Sequence, residues 1–301
     1  MKENSDLCKK VRWVKSVMDV NAIIVGDKST EDQVKSYYKI NYGNYKRFHS
    51  RSGFMHFHVT TSGDRMTEQD GFYQPDVVAT HIKSGMSVLE LGPGKGANIA
   101  YLANKFPDAS FTGVDLNPQT PKKAPSNMKL IAADYRDMKQ IPSESVDIAY
   151  GVETIVQCTS KEKVFEEVRR VLKPGGIFIV YDYALTDLYG TFDEDEQVAI
   201  SLISKGAACP DIEATSQWLG YFEGSGFEKI TVNDLSKEIM PDLWRLYKLA
   251  RHIIDHPKRL RFLMKIKPLF FVSNVVIGYL GWASFNENVI TYKEFTFRKP
   301  K

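Results

Sequence analysis

Cysteine is scarce: the 301 residues hold three, at positions 8, 158 and 209, and no two form a CxxC pair. Such an odd, scattered set excludes a disulfide framework and suits a reducing compartment, so a cytoplasmic protein with three inert thiols is expected. No grouping of His, Asp and Glu has the spacing of metal ligands, and no metal is expected. An excess of one charge is also missing. Forty Lys and Arg face 37 Asp and Glu, a net charge of +3, which leaves no global basic field to argue for a nucleic-acid partner. No apolar run reaches the roughly 18 unbroken residues of a spanning helix. The nearest, Leu269 to Phe285, is interrupted by two serines, an asparagine and two glycines. The N-terminal stretch MKENSDLCKKVRWVKSVMDV mixes acids and bases and lacks the apolar centre of a signal peptide.

What is present is alternation. Val11, Val14, Val17 and Met18 fall at helical spacing and predict an amphipathic helix at the start. From Met86 onward, short apolar runs alternate with helical patterns, the mark of a parallel sheet covered on both faces. MSVLEL, SFTGVDL, MKLIAAD, SVDIAYGVE and IFIVYDY read as five successive strands, and FEKITVNDL and ENVITYKEFTFRK as two later ones. The stretch NPQTPKKAPSN after the second strand holds three prolines and is too broken for a good helix. KEKVFEEVRRVL places Val164, Phe165, Val168, Val171 and Leu172 on one stripe, and KPGG stops it. Together these predict an α/β fold: a doubly wound, Rossmann-like seven-stranded sheet. It would carry an N-terminal helical and aromatic cap over 1–80, a core over 81–235, and a C-terminal helical insertion over 236–301 that forms a substrate lid and returns a final strand. Within that insertion, HPKRLRFLMKIKP sets five basic residues among Leu and Phe. Two readings stay open for it: an interfacial helix making peripheral membrane contact, and a solvated face over the lid.

The first strand runs into LGPGKGANIAYL, and a loop that tight usually touches a nucleotide. A triphosphate loop needs Ser or Thr after Gly-Lys, and Lys95 is followed by Gly96. A dinucleotide loop is harder to exclude, since Gly92, Gly94 and Ala97 match G-x-G-x-x-G/A and Asp115 lies at about the right distance, roughly 20 residues on. Charge decides between the remaining ligands. In such sheets the ligand sits outside the carboxyl ends of the strands, and those ends carry Glu90, Asp115, Asp134, Glu153 and Asp182. A pyrophosphate there would face like charge, at several kcal/mol per close pair. A cation would be drawn in, and S-adenosyl-L-methionine brings a sulfonium, an ammonium and no phosphate. On this reading Gly92, Gly94 and Gly96 let backbone approach the methionine part. Asp115, with Leu116 beside it, takes the ribose, Asp134 and Tyr135 take the adenine, and Glu90 and Gly151 line the methionyl side.

From Val88 to Asp187 the sequence resembles class I S-adenosylmethionine-dependent methyltransferases, and among them the C-methyltransferases of sterol side chains. The likeness rests on Glu153-Thr154, Leu172 to Gly176, Tyr181-Asp182-Tyr183 and Thr186-Asp187, with Tyr37-Tyr38, Tyr45 and Met55-His56-Phe57 upstream. It breaks where that family contacts its sterol: Lys46 replaces a glutamate, Gly-Trp-Gly is missing, and Gln157-Cys158-Thr159 stands for His-Ala-Pro. The resemblance implies methylation of an alkene carbon in a small lipid-like acceptor. A carbocation would then form, which aromatic faces and fixed carboxylates stabilise. Tyr37, Tyr38, Tyr45, Phe54, Phe57 and Tyr183 are the candidate cage, and Glu153 and Asp182 the candidate anions. His56 is the first candidate for the base that removes a proton, because an ordinary histidine titrates near working pH. Two alternatives stay open: transfer to nitrogen, oxygen or sulfur of a polar or lipid-headgroup acceptor, and a nicotinamide enzyme or silent binding module on the same fold. Oligomeric state is left open as well.

Overall fold

Short apolar runs rich in Val, Ile and Phe become the strands of one sheet. The computed structural model of the protein describes residues 5–25, 31–44 and 50–301. Its strands are β1 (Ser87–Leu91), β2 (Ser110–Asp115), β3 (Met128–Ala132), β4 (Val146–Val152), β5 (Leu172–Leu185), β6 (Glu228–Asp234) and β7 (Ile290–Arg298). They lie in the order β3-β2-β1-β4-β5-β7-β6. β1 to β5 pair in parallel, while β7 runs antiparallel between β5 and β6. The seven-stranded, doubly wound sheet expected from the sequence is therefore the observed one. Burial follows position: the central β1 is buried from Val88 to Leu91, and the edge strand β6 is largely exposed.

Helices cover both faces. α1 (Asp6–Val17), α2 (Asn21–Ile24), α3 (Glu31–Asn44) and α4 (Tyr73–Ala79) precede the sheet. α5 (Ala97–Lys105) follows β1, and α6 (Lys161–Val171) follows β4 with Val164, Phe165, Val168 and Val171 buried, the stripe the sequence predicts. The helix ends at Val171 and β5 begins at once, so KPGG belongs to the entry of the strand and not to the helix end. The proline-rich stretch after β2 forms no helix. Two further helices, α7 (Glu194–Gly206) and α8 (Thr215–Gly224), occupy a region the periodicity left unassigned. A reciprocal cap starts α7: Glu196 N–H donates to Asp193, and Asp193 N–H to Glu196.

The C-terminal insertion is three helices: α9 (Met240–Ile254), α10 (Pro257–Ile266) and α11 (Leu269–Asn286). Pro257 opens α10 and Pro268 precedes α11, which divides the basic run from the apolar one. α11 is long and apolar enough to cross a membrane. Here it packs on α9, α7, α1 and α3, with Val272, Val276, Leu280 and Ala283 buried, so it serves as a core helix. One hydrophobic core joins Leu7, Val11 and Val14 of α1 to Leu243 of α9 and Val276 of α11. The segment at 50–60 is fastened to that layer where His58 N–H and its ring Nδ1 meet Asp242 Oδ2 at 3.0 and 3.1 Å, both side chains fully buried.

Candidate active site

β1 turns out of the sheet through Gly92, Gly94 and Gly96, with φ of 62°, 53° and 69°. Glycine alone takes those angles without strain. The space around the three differs. A Cβ on Gly92 would stand 2.0 Å from Thr154 Oγ1, and one on Gly96 3.2 Å from both Pro121 and Met128. At Gly94 the nearest atom would be Met55 Sδ at 3.8 Å. Gly92 and Gly94 both line a cavity, as expected of them, and Gly96 does not; a Cβ on Gly92 would in addition press on Thr154 and one on Gly96 on Pro121 and Met128. Gly151 shares the contact with Thr154, where its Cβ would press on Cγ2 at 3.2 Å, but unlike Gly92 it does not line the cavity.

The cavity measures about 620 Å³ and lies beyond the carboxyl ends of β1, β2 and β4. Glu90, Asp115, Asp134 and Glu153 line it, as do Leu116 and Tyr135. Asp182 does not; it is fully buried behind the wall, accepting from Val156 N–H at 2.9 Å and Tyr183 N–H at 3.1 Å. The ring of five acids expected from strand ends is a ring of four. Asp115 accepts from Gly94 N–H at 3.0 Å and Asn117 N–H at 2.8 Å, so the loop and the acid hold each other. Burial alone would raise the Asp134 carboxyl, but the Arg136 guanidinium holds it below its usual range. Arg136 also reaches Glu31 of α3 at 2.7 Å, which ties the N-terminal cap to the cavity rim.

Glu153 sits at φ 49°, a left-handed conformation that costs a residue with a Cβ. Its Oε1 accepts from Phe57 N–H at 2.7 Å and Tyr292 O–H at 2.9 Å. Removal from water still pushes its carboxyl up to about 8. Glu90 is likewise pushed up to about 8 by burial.

His56 is buried on the same wall. Its Nδ1 faces the Phe57 carbonyl at 3.0 Å and its Nε2 faces Asn98 Oδ1 at 3.2 Å. Burial lowers the ring to about 4. A neutral ring that donates from Nδ1 needs Asn98 to turn its amide nitrogen toward Nε2, whereupon Asn98 Oδ1 accepts from a protonated Glu90, 3.4 Å away in the recorded orientation. Burial thus takes the His56 ring below the ordinary range on which its choice as a base rests.

The aromatic residues divide. Tyr38 and Phe54 line the cavity, and Tyr38 O–H donates to Gln157 at 3.0 Å. Tyr37, Phe57 and Tyr183 lie outside the lining. Tyr37 is buried with its hydroxyl on Asn274 of α11, Phe57 packs edge-on to Phe285 and Tyr292, and the Tyr183 hydroxyl meets Cys209 Sγ at 3.4 Å. Tyr45 falls outside the described residues. Among the lining residues not anticipated as site residues are Gln157, Asn98 and Arg136, and the rim also carries Lys35, Lys39 and Lys95. Gln157 stood out only as a departure from the resembled family, and no spacing marks Asn98 or Arg136. Among the described residues no group of three or more His, Cys, Asp or Glu could hold a metal.

Residues 89–180 match the family model of a methyltransferase domain. The chain is 33% identical over 205 residues to sterol 24-C-methyltransferase ERG6B of Gibberella zeae, covering 65% of this chain and 52% of that protein. With sterol 24-C-methyltransferase erg6 of Aspergillus fumigatus the figures are 32% over 191 residues, 57% and 49%. The chain therefore resembles the sterol methyltransferases and spans about half the length of these relatives. Among solved structures, the cyclopropane synthase MmaA2 of Mycobacterium tuberculosis superposes with a TM-score of 0.71 at 13% identity, covering 88% of this chain and 97% of that one. The [4+2]-cyclase SpnF superposes at 0.70 with 18% identity over 90% and 96%. A geranyl diphosphate methyltransferase complex superposes at 0.66 with 13% identity over 89% and 98%. These likenesses show the fold, and a cyclase among them shows that the fold alone does not name the reaction.

Proposed function

We propose that this protein is an enzyme that transfers a methyl group from S-adenosyl-L-methionine to carbon of a small, lipid-like acceptor of the isoprenoid or sterol type. The observation that carries the reading is the acid-lined cavity at the end of a methyltransferase domain. Two features fit that cofactor. Gly94 leaves open space where a side chain would stand, and Glu90 keeps a buried carboxyl oxygen without a hydrogen-bond partner among the described residues, a carboxyl that a nearby cation would draw into its ionised form. When bound, the cofactor supplies an electrophilic methyl carbon. Asp115 would hold its ribose, Tyr135 and Asp134 its adenine, and Glu90 its cationic end.

The protein's own part is positioning and proton handling. Tyr38 and Phe54 line the cavity, and the face of an aromatic ring favours developing positive charge on an acceptor. Glu153, fixed by Phe57 N–H and Tyr292 O–H, is the proposed acceptor of the proton that leaves a methylated alkene. Relatives named for sterol and geranyl diphosphate carbon methylation support an apolar acceptor over a polar one. A lipid acceptor also calls for peripheral membrane contact, on the cytoplasmic side that the cysteine usage favours.

Incubation with donor carrying an isotopic methyl and a lipid extract, followed by mass spectrometry, tests the reading. Label on carbon of a neutral isoprenoid lipid is the expected result. Label only on nitrogen, oxygen or sulfur would replace it with headgroup methylation.

A further inference from the structure

α10 reads PKRLRFLMKI and buries a single side chain, Leu260. Helical geometry turns each residue by about 100°, so Lys258, Phe262 and Ile266 align four apart on the face opposite Leu260. Phe262 is 63% exposed and Ile266 55%. Lys265 and Arg259 flank that apolar pair, Arg261 lies one step further round, and Lys267 follows at the helix end. From Asp255 to Glu287 no acidic residue intervenes. Among the described residues, Lys258, Arg261 and Lys265 form no ion pair. The corner continues into Leu269, exposed at the first turn of α11. Arg259 donates to the His252 carbonyl at 3.0 Å and Lys267 lies over the Phe271 ring, but among the described residues no carboxylate neutralises this collar, and apolar side chains projecting through it make a surface that neither water nor the protein core satisfies.

We infer that the α10–α11 corner docks on the surface of an anionic phospholipid bilayer, with Phe262, Ile266 and Leu269 in the acyl boundary and Lys258, Arg259, Arg261 and Lys265 on lipid phosphates. The charge is of the complementary sign, and the two signals together meet the requirement that one weak anchor does not. A geometric link connects this corner to the cavity. Phe270 packs edge-on to Tyr37 at 5.7 Å, and Tyr37 edge-on to Tyr38 at 5.3 Å, and Tyr38 lines the cavity. Docking there would hold the cavity three rings from the bilayer. That consequence, delivery of acceptor from the membrane, rests on the proposed lipid substrate; the docking itself rests on α10 alone.

The test uses the full-length protein and vesicles of phosphatidylcholine with and without phosphatidylserine, read by co-sedimentation with no donor or acceptor present. Wild type is expected on the anionic vesicles and not on the neutral ones, with binding lost as salt rises. At about fivefold per basic residue, the Lys258→Glu/Arg261→Glu/Lys265→Glu variant should bind at least a hundredfold more weakly. Phe262→Ser/Ile266→Ser should lose about tenfold, and Lys122→Glu, exposed and remote, should change nothing. All these side chains face solvent, so matching circular dichroism melts confirm intact folding. Equal binding to both vesicle types, no binding to either, or wild-type binding by both α10 variants overturns the inference. Failure of methyl transfer leaves this assay untouched, so the two proposals fail separately.

Discussion

The two sides of the cavity are built in opposite ways. On the proposed donor side, Glu90, Gly94, Asp115 and Asp134 lie within 45 residues of sequence, each at or just past a strand end, and the hydrogen bonds there span 21 residues at Gly94 with Asp115 and two at Asp134 with Arg136. On the proposed acceptor side, partners come from more distant parts of the sequence: Phe57 with Glu153, Tyr38 with Gln157, Tyr292 with Glu153. A side made of local contacts can be read from spacing. A side made of distant ones depends on packing, and packing also sets its titration behaviour. The difference teaches that residues placed at successive strand ends announce themselves in short motifs, whereas residues brought together by packing do not.

That division can be broken by experiment, and Glu153→Gln is the strongest attempt. The amide keeps an oxygen for Phe57 N–H and Tyr292 O–H but cannot take a proton. Turnover should fall on the order of 10²–10⁴-fold, with donor affinity unchanged in calorimetry; equal losses in both would place Glu153 on the donor side. The wild-type rate should rise with pH toward about 8, where Glu153 ionises. Stability should move the other way. Glu90 and Glu153 are pushed up to about 8 and Asp182 to about 7, so the folded state holds protons that the unfolded state has already lost. Unfolding free energy therefore falls as pH rises through that range. His56 opposes this only between its lowered value of about 4 and its ordinary 6.5, so urea melts between pH 6.5 and 8 isolate the carboxyls. A flat profile there would contradict the burial described.

Gly92→Ala should act next most strongly, destabilising by about 3 kcal/mol, because left-handed strain adds to a contact of 2.0 Å with Thr154. Gly94→Ala, with open space beside it, should cost only about 1–2 kcal/mol of strain. Equal urea midpoints for the two would erase the distinction between a glycine kept for packing and one kept for a ligand. Asp115→Ala should weaken donor binding by about 1.5–3 kcal/mol in calorimetry, as lost charged hydrogen bonds do. Tyr37→Phe should matter least. Its hydroxyl meets Asn274 and not the cavity, so a loss of about 1 kcal/mol in stability with unchanged turnover is expected; a lower rate would return Tyr37 to the acceptor cage.

The same contrast explains what the sequence makes legible. The central strands β1, β2, β4, β5 and β7 show as short apolar runs, since a strand covered on both faces has a strong local signature, while the more exposed edge strands β3 and β6 show only by Leu130-Ile131 and Ile230-Thr231-Val232. α7 hides because part of its buried face is polar: Asp195 and Glu196 are buried there, Asp195 held by Arg12 at 2.6 Å from 183 residues away. Glu153 shows as an acid at a strand end, but its raised carboxyl comes from burial, against the lowering hydrogen bonds of Phe57 and Tyr292, and only the fold provides that burial. His56 looks like a base until burial takes its proton affinity away, and Asp182 looks like a cavity acid until the loop at Val156 covers it. Arg136 escapes notice because its second partner, Glu31, comes from 105 residues away and only the fold brings the two together.

Calorimetry of the purified protein with S-adenosyl-L-methionine and with a nicotinamide dinucleotide, in one buffer, tests most directly whether the acids around this cavity select a cationic donor. Saturable binding of the sulfonium compound, weakened by Asp115→Ala, with no heat from the dinucleotide, is the predicted result. Dinucleotide binding without the sulfonium compound would contradict it.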